Sequence, residues 1–103
     1  MIVQTPEPPY YAVIFTSLRT GAEEGYAETS ARMWTLAGEQ SGFLGAESAR
    51  AEIGITVSYW ASLESIAAWR ANAEHMLAQE RGRAEWYSGY AVRVCRVEKA
   101  YGF

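Results

Sequence analysis

Three of the chain's four tryptophans and its one histidine fall between Trp60 and Tyr90. Trp60 closes an alternating apolar run, Trp69 and His75 follow at helical spacing, and Trp86 stands beside Tyr87 just before a second alternating run that holds Tyr90. An imidazole with an ordinary pKa of about 6.5 exchanges a proton near neutrality, which makes His75 the candidate base. The same imidazole serves equally well as a polar helix residue. Tryptophans at strand and helix intervals fill cores and interfaces as readily as they wall a pocket. Both readings stay open at the level of residue type.

Other chemistries lack their parts. The chain has no G-x-G-x-x-G, no phosphate-loop lysine and no G-x-S-x-G, so dinucleotide binding, phosphate-loop chemistry and an elbow serine are set aside. His75 and Gln79 stand four apart on one predicted helix, but glutamine is a poor ligand and no second imidazole exists, so no metal site is expected. The net charge of -3 comes from interspersed acids and bases without a basic run, which argues against nucleic acid as a partner. Pro6, Pro8 and Pro9 interrupt an N-terminal lead whose apolar run is too short for a signal peptide, so neither export nor membrane insertion is expected. A lone Cys95 makes no intrachain disulfide, and the expected compartment is the reducing cytoplasm.

The elements that must position these residues follow from hydrophobic period. At 103 residues the chain suits one domain, taken as residues 10–103 after a lead over 1–9. `YYAVIFTSL` reads as a strand apolar on both sides. A first helix opens on a capping-box spacing, Thr20 and Glu23, and runs to Gly38. Residues 41–50 and 52–61 read as a hairpin with a short charged turn near Arg50 to Glu52, and with Ile53, Ile55, Val57 and Tyr59 on one side. Ser62 caps a second helix with the stripe Leu63, Ile66, Trp69, Ala73, Met76 and Leu77, on whose surface Arg70 faces Glu74. A last strand spans 88–97.

This order, β-α-β-β-α-β, is the ferredoxin-like α+β arrangement, a four-stranded antiparallel sheet with both helices on one face. Its other face is expected to be bare and apolar, and a homodimer paired through the sheets would cover it. The connections as read bring Trp60, Trp69, His75, Trp86 and Tyr87 near one end of the sheet.

The stretch `YWASLESIAAWR`, the later `EHMLAQERGRAEWYSGYAVRVCRVEKAYGF` and `GFLG` at 42–45 resemble the antibiotic biosynthesis monooxygenase family over roughly Ala12–Phe103. The resemblance implies a dimeric α+β barrel with a dry, aromatic-lined cavity between sheet and helices. It implies a cofactor-independent monooxygenase acting on a small hydrophobic aromatic, phenol- or quinol-like, with His75 as base and Tyr87 or Tyr90 as donors to a substrate oxygen. Trp60, Trp69, Trp86 and Phe15 would wall the pocket. The family's heme-degrading branch is matched at Trp60, Ser62-x-Glu64-Ser65 and Trp69. At its heme-ligating position this chain has Gln79, and at its first-strand asparagine it has Phe15. Heme binding through His75 is therefore the alternative within chemistry, and a non-catalytic dimeric module for a small ligand is the alternative outside it.

Overall fold

The β-branched and aromatic run after the prolines forms the long first strand, β1 (Tyr10–Arg19), of a computed structural model that describes residues 2–103. Met1 of the lead and the side chain of Ala73 in the expected helical stripe lie outside the described residues. After β1 come α1 (Tyr26–Gly38), β2 (Phe43–Arg50), β3 (Gly54–Trp60), α2 (Leu63–Ala71), α3 (Ala73–Arg81), a wide π-helical turn (Gly82–Trp86) and β4 (Tyr87–Val97). The strands form one antiparallel sheet in the order β2-β3-β1-β4, the ferredoxin-like topology the sequence predicts.

Register decides which side chains meet. Tyr11 pairs with Trp60, Phe15 with Thr56 and with Val92, and Ser17 with Gly54 and with Tyr90, so these residues share one face. That face carries the helices. Trp60 packs near Trp69 of α2 at a ring separation of 6.1 Å, and the Arg19 guanidinium lies 3.3 Å above the ring centre of Tyr26 on α1. The opposite face presents Tyr10, Ala12, Ile14, Val57, Tyr59 and Ile55.

That opposite face is not wholly bare, which corrects the expectation. The lead crosses its Tyr10 end, where Val3 rests on Gly45 and donates its N–H to Glu47 at 3.1 Å, and Thr5 meets the Tyr10 hydroxyl at 2.8 Å. Tyr59 donates to the other oxygen of Glu47 at 2.7 Å. The hydrogen bond from Tyr59 and the one from Val3 hold the Glu47 carboxyl below its ordinary pKa. Burial and that carboxylate push the Tyr59 phenol up to about 12. The uncovered apolar part lies at the far end, at Leu18, Ile53 and Ile55.

Two helix boundaries differ from the sequence reading. α1 starts at Tyr26, after Gly25 in the left-handed region at φ 76, and not at a Thr20–Glu23 box. Thr20 instead ties the loop to the sheet's far connection, its hydroxyl donating to the Glu85 carbonyl at 2.6 Å. The second helix is broken at Asn72, whose backbone turns extended (ψ 125) and whose side chain accepts from the His75 N–H at 3.1 Å. Asparagine favours such a cap over a helix interior. The break turns α3 relative to α2, so Ile66 is buried while Met76 and Leu77 of the expected stripe stay exposed. Glu74 likewise faces away from Arg70 and takes a forked pair of hydrogen bonds from Arg32 of α1, at 2.7 and 3.1 Å. The Ser62 cap forms as predicted, with Ser65 completing a reciprocal box. No helix is long and apolar enough to cross a membrane.

Candidate functional site

The residues singled out by sequence fall into two groups at opposite ends of β1. Trp60 pairs with Tyr11 and Tyr87 with Arg19, eight residues further on, or about 26 Å at strand rise. The expected gathering at one sheet end is therefore not what the fold produces.

The first group is a column of rings. Phe43 meets Trp60 edge-on at 5.2 Å, Trp60 stacks towards Trp69, and Trp69 stacks on His75 at 4.0 Å. Trp60 is 0% exposed and its indole N–H donates to the Ser58 hydroxyl at 2.9 Å, so it presents no surface to a ligand. His75 Nδ1 lies 3.0 Å from the Trp69 carbonyl, which only accepts, so Nδ1 carries the proton and the ring secures the α2–α3 joint. Burial, above all, lowers its pKa from 6.5, with nearby Arg70 acting the same way against the Trp69 hydrogen bond. The ring is thus neutral at physiological pH.

A folded-state pKa below the unfolded one means stability that is present above about pH 6.5 and lost as pH falls through the lowered value. Thermal melts from about pH 7 to about pH 5 should show a loss that His75→Gln flattens. Equal slopes in both proteins would show that this imidazole does not drive it.

Trp69 covers the face of the imidazole, and the Gln79 amide nitrogen lies 3.1 and 3.4 Å from its two ring nitrogens, with Nε2 as the ring's acceptor. Among the described residues no three of His, Cys, Asp and Glu are grouped as a metal site.

The second group lies on the helix side of β1 and β4. Phe15 touches Tyr87 at 5.4 Å and Tyr90 at 5.2 Å, and Tyr87 meets Tyr26 edge-on at 6.1 Å. Beside them the helices leave the sheet uncovered: Tyr90 is 38%, Val92 46% and Val94 45% exposed on the face that should be roofed. Burial, followed by the Tyr26 hydroxyl, pushes the Tyr87 phenol well above its usual value of 10.0, so it remains a protonated donor. Arg83 donates to the Tyr90 oxygen at 3.1 Å, leaving that hydroxyl its own hydrogen to give. Trp86 differs from its neighbours. It is buried, gives its N–H to the Glu24 carbonyl at 3.0 Å and packs against Tyr26 and the Arg81 guanidinium, so it fastens the π-helical turn to the loop before α1.

What the fold gathers here is an uncovered stretch of sheet with aromatic and aliphatic side chains and two phenolic hydroxyls; of these residues, Tyr90 borders a shallow hollow of about 310 Å³ at the strand edge. Sequence reasoning missed Val92 and Val94, which share this surface. Alternation places the valines on the Tyr90 side of β4, and the signal that would have found them is the shortage of helical apolar residues to cover that side.

Comparison with known proteins agrees with the topology. No family model matches the chain. YqjZ of Bacillus subtilis, an uncharacterised protein, is 54% identical over 98 residues, covering 93% of this chain and 86% of YqjZ. Among solved structures, SnoaB of Streptomyces nogalater, a cofactor-independent oxygenase, superposes with a TM-score of 0.76 at 13% identity, covering 90% of this chain and 97% of SnoaB. Rv0793 of Mycobacterium tuberculosis gives 0.78 at 12% identity over 90% and 99% of the two chains. A candidate antibiotic biosynthesis monooxygenase of Nitrosomonas europaea gives 0.71 at 12% identity over 96% and 97%. The chain belongs to the same family as YqjZ and has the fold of the antibiotic biosynthesis monooxygenases.

Proposed function

We propose that the chain is a cofactor-independent monooxygenase of a small hydrophobic aromatic, phenol- or quinol-like, bound on the uncovered surface on the helix side of β1 and β4. The observation that carries this is the uncovered Tyr90–Val92–Val94 surface beside a Tyr87 kept protonated. The likeness in fold to the cofactor-independent oxygenase SnoaB supports it. Cys95, half-buried and unpaired, fits a cytoplasmic setting. The exposed end of the other sheet face fits a homodimer.

In this reading the substrate ring lies on Phe15 and Tyr90, and Tyr87 donates to the substrate oxygen. That hydrogen bond favours the oxyanion once the substrate has lost its proton to solvent. The electron-rich anion then reacts with dioxygen. With an anthrone, one oxygen atom enters the ring methylene, which becomes a carbonyl, and the other leaves as water, so the substrate supplies every electron. Tyr87 is favoured over His75 for contact with substrate, because His75 lies in the other group of rings with Trp69 stacked on its face.

Oxygen uptake with anthrone and substituted hydroquinones, measured above the buffer rate, is the test. Wild type should accelerate uptake, and Tyr87→Phe should cut that acceleration by roughly tenfold or more. Traces at the buffer rate across the panel would end the oxygenase reading.

A further inference from the structure

We propose that Arg50 makes the helix-side surface selective for aromatic ligands that carry a carboxylate or a similar planar oxyanion, an inference that rests on that surface being the ligand site. Arg50 ends β2, in register with Gly54 of β3, which is in register with Ser17 of β1. Its side chain reaches across the bare backbone of Gly54 and donates to both the hydroxyl and the carbonyl of Ser17. A Cβ on Gly54 would occupy the space the guanidinium fills. Gly54 and Ser17 are both buried, and Ser17 is the buried polar side chain of the described residues, so a missing side chain and a buried hydroxyl together fix this cation in place.

The place matters because Ser17 is two residues from Phe15 on the same face and opposite Tyr90. Arg50 thus lies at the end of the aromatic floor, and it and Arg19 act on the Tyr87 hydroxyl by their charge, against the effect of burial. Arg19 is already used, by the Trp86 and Ala22 carbonyls and the Tyr26 ring. Arg50 is used by Ser17 alone. Among the described residues it forms no salt bridge, and of its five donors only two meet Ser17, which leaves its Nε–H edge without a protein partner. That free edge, beside two phenolic donors, suits a carboxylate, which accepts two parallel N–H bonds.

Binding of 1-naphthoate and of 1-naphthalenemethanol, matched in ring but not in charge, tests this by calorimetry on wild type, Arg50→Gln and Gly54→Ala. Arg50→Gln removes the cation. Gly54→Ala keeps it but fills the slot in which it lies. Wild type should prefer the acid by about tenfold, and each variant should lose that preference while holding the alcohol as before. Circular dichroism and a melting curve confirm that each variant is folded. Equal wild-type affinity for acid and alcohol, or a preference that survives Arg50→Gln, overturns the Arg50 assignment and leaves the aromatic surface standing as the ligand site. Failure of wild type to bind either probe overturns both.

Discussion

Replacing Trp60 with alanine should lower the unfolding free energy by roughly 3–5 kcal/mol, the cost of emptying a large buried site. Trp60 is fully enclosed, and its ring lies between Phe43 and Trp69. Its loss removes the contact that joins β2, β3 and α2 and also leaves the Ser58 hydroxyl without its donor. A domain of this size has about 5–15 kcal/mol in total, so the variant should sit near the edge of folding. Trp34→Ala is the matched control, since that indole is exposed on α1, and its cost should stay within about 0.5 kcal/mol. Urea titration of both variants measures the difference. Similar midpoints for the two would mean that Trp60 is not the centre of packing.

The second large effect concerns assembly. Leu18 is 48%, Ile53 51% and Ile55 46% exposed at the end of the sheet face that the lead does not reach. A two-fold axis through this end would pair the patch with itself, so a charge at Ile55 would enter the contact twice and be desolvated each time. Sedimentation at micromolar concentration should give wild type the mass of two 11.4 kDa chains, and Ile55→Glu the mass of one. A wild-type chain that sediments alone removes the dimer. A variant that stays paired moves the contact elsewhere.

Much of the fold was legible because alternation and helical period are strong over long segments. β3 and β4 follow from period two, β1 from its β-branched and aromatic run, and the Ser62 cap from its place before the helical stripe. What was not legible depended on single polar residues with two uses. Thr20 has the spacing of a cap yet its hydroxyl joins the Glu85 carbonyl, and Asn72 has a helical neighbourhood yet turns the chain. The site was harder to read for a related reason. Trp60, Trp69 and His75 are close in sequence to Trp86 and Tyr87, but α3 separates them, and only the register of β1 with β3 and β4 shows that they occupy opposite ends. Arg50 reads as a turn residue until Gly54 and Ser17 are seen beneath it.

Amide chemical-shift mapping with 1-naphthol, a phenol that fits the proposed substrate class, addresses the ligand site most directly. Shifts should concentrate at Phe15, Tyr87, Tyr90, Val92 and Val94 and leave Leu18, Ile53 and Ile55 unmoved. Shifts centred on Trp69 and His75, shifts confined to the Leu18–Ile53–Ile55 patch, or none at all would contradict a ligand site on the helix side of β1 and β4.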